Sequence, residues 1–339
     1  MKSLLAFCAL ALAYTCGSSQ IQETSTKEVA EPGGPEGVKA KITKMDSSDA
    51  NGFTTIDDIS EIMNFLASDA LQGRDSGSEG IATAATFIEK SFMDNGIQPY
   101  FNSYRDTLSN FEKMAFNVVG LLEGTDPKLK EEYVLIGAHY DHIGIIAPEN
   151  GDAIANGAND NASGTTSVME FARYFGNGQT NKRSLIFALF SAEEKGLLGS
   201  KHLAKRLKDE GLNLYAMLNF EMTGVPLVKK DYQVYITGFE MSNLAKVSNM
   251  YAEENLVGFL PTAKEFNLFQ RSDNYPFHQE FQVPAHTFCT FDFTNFAFYH
   301  KVGDEADIID FEHMATMVNK MIPVIEGITN APTQEIRLN

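Results

Sequence analysis

Three continuous apolar runs, 133–138, 184–190 and 214–220, constrain this chain more than any other feature. Each is strand-length and lacks polar alternation, the pattern of a β-strand covered on both faces. Helical spacing fills the intervals at 165–175 and 194–209. Further strands are expected at 116–122, 232–237 and 285–291, and further helices at 56–66, 81–94 and 311–328. Alternation of this kind predicts one α/β domain whose largely parallel sheet is covered by helices on both sides. The chain has no internal repeat and no glycine-rich nucleotide fingerprint.

The apolar runs end in residues that carry chemistry. The first leads into His139-Tyr140-Asp141-His142, the second into Ser191-Ala192-Glu193-Glu194, and the third into Glu221. Ligands of open α/β sheets sit beyond the carboxyl ends of the strands, so these groups are expected to converge there. His139 offers an imidazole nitrogen to a metal, and Asp141 can accept the other ring N–H and fix the tautomer. Asp160, the one acid in Gly157-Ala158-Asn159-Asp160-Asn161-Ala162-Ser163-Gly164, reads either as an N-cap of the following helix or as a carboxylate bridging two metals about 3.5–4 Å apart. Glu193 and Glu194 repel each other unless cations neutralise them. One can then bind metal while the other faces substrate as a general base. The competing interpretation makes them first-turn acids stabilised by the helix dipole.

These segments, with Asn219-Phe220-Glu221-Met222-Thr223-Gly224, Arg271-Ser272-Asp273-Asn274-Tyr275-Pro276-Phe277 and the stretch from Tyr299 to Asp307, occur in one chain in this order. Together they resemble the co-catalytic zinc aminopeptidase family, which also includes glutamate carboxypeptidase and glutaminyl cyclase. The likeness spans roughly 55–330. It implies a three-layer α/β/α fold with a mostly parallel mixed sheet, the zinc-exopeptidase (phosphorylase/hydrolase-like) fold. It further implies two zinc ions held by His139, Asp160, Glu194, Glu221 and His300, with Asp160 as the bridge. Glu193 takes the place of the general base, Tyr299 of an oxyanion-stabilising tyrosine, and Asp141 and Asp304 of supporting acids. Glu221 stands where the family usually has aspartate. Arg271 and His142 are candidates for the substrate cleft; Arg271 either holds a substrate carboxylate or pairs with one of the protein's own.

A free α-amine is attracted by Glu193, Glu221 and their acidic surroundings, so an aminopeptidase acting on peptides is expected. Its rivals are a carboxypeptidase of the same fold, a single-zinc glutaminyl cyclase and a non-enzymatic binding module. The formal net charge of −18 repels phosphate backbones and argues against nucleic acid as a partner.

The leader sets the expected location. Lys2 precedes an apolar run at 4–14 of signal-peptide length, and Ala13-Tyr14-Thr15-Cys16 resembles a bacterial lipoprotein cleavage box. The expectation is a signal at 1–16, a linker rich in Ser, Thr, Glu, Gly and Pro at 17–52, and a zinc peptidase domain at 53–332. A lipid on Cys16 would tether the exported protein in the periplasm or at the outer membrane or cell surface of a bacterium. Cys289 lies in an apolar run and is expected to be a buried, inert thiol.

Overall fold

The computed structural model describes residues 52–339. The leader at 1–16, Cys8, Cys16 and all but the last residue of the 17–52 linker lie outside the described residues.

The elements run in chain order as α1 (Ile56–Leu66), α2 (Glu79–Asp94), β1 (Gln98–Pro99), β2 (Arg105–Thr107), β3 (Phe116–Leu122), β4 (Tyr133–His139), β5 (Gly144–Glu149) and β6 (Asp152–Ala155). There follow α3 (Ser163–Gly178), β7 (Ser184–Phe190), α4 (Leu198–Asp209), β8 (Leu214–Glu221), β9 (Val234–Ile236) and α5 (Leu244–Ala252). β10 (Val257–Gly258), α6 (Pro261–Glu265), α7 (Asn274–Phe281), β11 (Ala285–Cys289) and α8 (Phe311–Asn330) complete the chain. Among the described residues the main sheet has the order β1-β3-β7-β4-β8-β11-β9-β10, with β2 also on β3. Its centre, β7-β4-β8-β11, is parallel. Antiparallel pairings flank it, β3 on β7 and β9 on β11, while β5 and β6 form a separate hairpin.

The apolar runs are continuous because each central strand feeds two cores. On β7, Leu185, Phe187 and Leu189 enter the core shared with α1, α2, α3, α5 and α8, while Ile186, Ala188 and Phe190 enter the one shared with α4 and α7. Val134 and Ile136 divide from Leu135 on β4 in the same way. This is a three-layer α/β/α arrangement. From β4 the chain passes through α3 in one layer to β7 on one side, then through α4 in the other layer to β8 on the opposite side. That reversal opens a crevice at the carboxyl ends of β7, β4 and β8.

Strands 116–122 and 184–190 occur as expected, but several boundaries move. The helix expected at 194–209 starts only at Leu198, because a turn at Glu193–Leu197 intervenes, with Gly196 and Leu197 N–H groups donating to Glu193 O at 2.8 and 2.9 Å. β9 and β11 are shorter than 232–237 and 285–291. Packing also continues past residue 332: Ile336 is buried, its N–H donates to the Tyr215 hydroxyl at 2.8 Å, and Leu338 pairs with Ser242. Cys289 is a buried free thiol that burial pushes up to about 12, as an inert role requires. No helix among the described residues is long and apolar enough to cross a membrane.

Candidate metal centre and active site

β4 is central, so its last residue emerges in the middle of the crevice. His139 pairs across the ladder with Phe190 of β7, and Glu193 and Glu194 follow three and four residues later. Glu221 ends β8 on the other side of β4. Ligand-type atoms of His139, Glu193 and Glu221 lie within 4.8 Å of one another, and so do those of His142, Asp160 and Glu194.

Asp160 joins the two groups. His139 Nε2 lies 3.3 Å from its Oδ1, and His300 Nε2 lies 3.2 Å from its Oδ2. His300 Nε2 is also 3.1 Å from Glu194 Oε2. The N-cap interpretation of Asp160 does not hold, since Ala162 occupies the cap position of α3 and no side chain caps it. The Asp160 loop is shaped from three directions. Gly157 has φ +58°, and a Cβ there would come within 2.3 Å of Asp160 O and 2.4 Å of the His142 ring. Asp304 accepts the N–H groups of Asn159 and Asp160 at 2.7 and 3.0 Å. Asn161 accepts from Met222 N–H at 3.0 Å and donates to Phe220 O at 3.0 Å, fastening the loop to β8.

All five sequence-predicted ligands are therefore brought together, with Glu193 beside His139 and Glu221. Two placements differ from expectation. Asp141 supports His139 through its backbone: Nδ1 lies 3.1 Å from Asp141 O but 3.7 Å from the carboxylate. The carboxylate instead accepts from Glu193 N–H at 3.2 Å and from the Ser76 hydroxyl at 3.1 Å. His142 does not line the cleft. It is fully buried, and its Nδ1 is 3.0 Å from Glu194 Oε1. The interpretation of Glu193 and Glu194 as first-turn acids also fails, because both lie in the turn that delays α4 to Leu198.

Tyr299 and Arg271 reach the cleft, a space of about 160 Å³ floored by Asp160, Glu193 and Glu221. The Tyr299 ring stacks on His300 with centroids 4.0 Å apart. Arg271 forms no ion pair with any carboxylate among the described residues. A larger hollow of about 450 Å³ lies beside β9 and α7 and contains none of these strand-end residues.

Three further contacts were not foreseen from the sequence. Ser272 donates its hydroxyl to Glu221 Oε2. Arg74 is buried, and its guanidinium donates to Tyr140 O, Asn156 O and Gly157 O at 2.9, 2.7 and 2.9 Å and to Leu66 O. It thereby ties the end of β4 to the Asp160 loop. Asp273 is also fully buried, and its carboxylate adds to the negative field on Glu193. Arg74 and Asp273 sit in turn sequences that look solvent-facing, and only long-range packing buries them.

The electrostatics are those of a site assembled for cations. Burial raises Glu193 well above the carboxylate range, and Glu221, Asp273 and Glu194 add to it. Burial likewise lifts Glu221 to about 7. Burial by itself would lower His300, but Asp160 and Glu194 overrule it and hold the ring at about 10. Burial opposes the charge on Asp160, yet the His139 and His300 imidazoles beside it hold it far below its ordinary value. The buried Nε2 atoms of His139, His142 and His300 have no hydrogen-bond partner, an arrangement that costs free energy unless something satisfies them. Imidazole and carboxylate donors crowded around unpartnered nitrogens fit divalent zinc.

Residues 117–325 match the model of peptidase family M28. A probable zinc metalloprotease of Pyrenophora tritici-repentis is 29% identical over 177 residues, 49% of this chain and 40% of the relative. A probable leucine aminopeptidase of Arthroderma otae is 26% identical over 269 residues, 76% of this chain and 68% of the relative. The chain thus spans about two fifths of the length of the first of these relatives. Among solved structures, the Legionella pneumophila LapA aminopeptidase superposes with a TM-score of 0.63 at 21% identity, covering 85% of this chain and 76% of its own. Porphyromonas gingivalis glutaminyl cyclase gives 0.62 at 16%, covering 81% and 98%. At these identities the structures are alike in fold.

Proposed function

The chain belongs to peptidase family M28, and from that premise we propose that it is an exported two-zinc aminopeptidase that removes N-terminal residues from peptides. The observation that carries the proposal is the position of Asp160, its two oxygens 3.3 and 3.2 Å from the Nε2 atoms of His139 and His300. A carboxylate between two imidazole nitrogens, each with further acids beside it, supports a bridged pair of metals better than a single one. His139 and Glu221 would hold one zinc, Glu194 and His300 the other, and Asp160 both. Bound zinc would supply Lewis acidity and lower the pKa of a shared water towards about 7.

The protein's own residues do the rest. Glu193, buried beside His139 and Glu221, takes a proton from the attacking water and returns it to the leaving amine. Tyr299, held protonated by burial and four nearby carboxylates, donates a hydrogen bond to the developing oxyanion. Glu193 and Glu221 attract the substrate's free α-ammonium group. Export, and a lipid tether at Cys16, rest on the sequence of the leader.

The test compares a leucyl peptide with its N-acetylated form using zinc-loaded protein. The free peptide is expected to be cleaved and the blocked one left intact. Equal cleavage of both would contradict the aminopeptidase reading. Loss of ammonia from an N-terminal glutamine peptide, without bond cleavage, would point instead to the cyclase chemistry of the same fold.

A further inference from the structure

We propose that Arg271 is a receptor for a substrate carboxylate, so that the preferred substrate carries that group within one residue of the cleaved bond. The proposal rests on the aminopeptidase reading of this site and deepens it to a substrate class.

Arg74, Arg105, Arg173, Arg183 and Arg206 each donate to carbonyl or carboxylate oxygens. Arg271 lines the cleft, yet its side chain has no ion pair, hydrogen bond or ring contact among the described residues. Its backbone is nevertheless fixed: its N–H donates to Leu268 O at 3.0 Å, and the next residue, Ser272, is bonded to Glu221. Arg271 is thus an exposed residue of the cleft lining whose side chain pairs with none of the carboxylates on the floor. Asp160 lies between the His139 and His300 imidazoles, Glu221 accepts from the Ser272 hydroxyl, and both would be taken up in holding zinc. That leaves a planar, permanently charged fork without a protein partner at a cleft lined by Leu268, Phe291 and Phe293 as well as by acids, and such a fork suits a bidentate carboxylate.

The dimensions limit where that carboxylate sits. The cleft of about 160 Å³ is smaller than the roughly 300–1,000 Å³ of pockets that enclose a drug-sized ligand. That is room for one side chain between Leu268, Phe291 and Phe293 and not for an extended peptide. The proposal assigns that carboxylate to one of two sources: the side chain of an acidic N-terminal residue, or the C-terminus of a dipeptide. A longer peptide with neutral residues offers none there.

Two substrate pairs separate the sources. Leu-Ala against Leu-Ala-amide reads the terminal carboxylate, and Glu-Ala-amide against Gln-Ala-amide reads the side chain. Zinc-loaded wild-type protein is expected to favour the carboxylate member of at least one pair by about 10- to 100-fold in kcat/KM. In Arg271→Met, which keeps the apolar stem, that ratio should collapse towards one, and Arg271→Lys should retain part of it. The proposal is overturned if neither pair shows a preference, or if the preference survives in Arg271→Met. Cleavage of Leu-Ala-amide without carboxylate discrimination would remove this inference and leave the aminopeptidase reading standing. Failure to cleave any of the four would remove both.

Discussion

His142 Nδ1 lies 3.0 Å from Glu194 Oε1, with the imidazole fully buried. The ring also stands edge-on to His300, centroids 5.6 Å apart, so it packs on one proposed zinc ligand and hydrogen-bonds another. Groups that orient ligands in this way influence metal affinity by about 10- to 100-fold. His142→Ala is therefore expected to weaken retention of one of two zinc ions by that factor, measured by competition with a chelator. Affinity equal to wild type at both sites would show that Glu194 needs no such support.

Glu221 is one methylene longer than the aspartate expected from the resemblance, and Ser272 holds its far oxygen. Ser272→Ala frees the longer side chain. Zinc affinity on the Glu221 side should fall by about 10-fold while the other ion is retained, which metal titration followed by elemental analysis would resolve. Loss of both ions together would show that the two halves of the centre do not bind independently.

Arg74 satisfies four backbone carbonyls from inside the protein. Arg74→Leu takes this donor from all four carbonyls, of which Gly157 O keeps the Ala162 N–H, and removes the buried cation facing Asp304, Asp141 and Asp160. Truncation of a buried, bonded charge costs about 3–5 kcal/mol. Urea unfolding should show a loss of that order, and a change under 1 kcal/mol would place Arg74 among surface-like contacts.

His286 gives the fold a pH dependence of its own. It is buried, with one ring nitrogen 2.8 Å from Thr237 O and the other 2.8 Å from Ser242 Oγ, and burial lowers it from 6.5 to about 4. The unfolded chain takes up this proton below pH 6.5, and the folded chain only near 4. The neutral ring's contribution is thus complete above 6.5 and is lost as pH falls through this window, by up to about 3 kcal/mol. His286→Gln should be less stable at pH 7 but lose less on acidification to pH 4. Parallel stability–pH curves for the two proteins would contradict the assignment.

The legible parts of this molecule are those where one physical requirement dominates the local sequence. Strands 184–190 and 116–122 are legible because a central strand must be apolar on both faces. The ligand-bearing ends follow from the same strands, since polar residues directly after such runs can only emerge at the sheet edge. Glu193 and Glu194 show the limit. Their acidity fits a helix start as well as a metal site, and only the turn before Leu198 decides against the helix. His142 carried a signal in its position three residues after His139, but its direction depends on Gly157 and the Asp160 loop, which are distant in sequence. The short strands β1, β2, β6 and β10 have too few residues for a period to register, and Arg74 gives no sign of burial because its partners come from remote segments.

The central claim is that Glu193 is the proton-transferring group beside a separately held metal pair. Glu193→Gln keeps the shape and removes the charge, so measuring zinc content and turnover on the same preparation tests it most directly. The account predicts two zinc ions per chain, as in wild type, with peptide cleavage lowered by about 10²–10⁴-fold. Unchanged turnover with zinc retained would contradict it, and so would loss of zinc in proportion to activity, because Glu193 would then be a ligand.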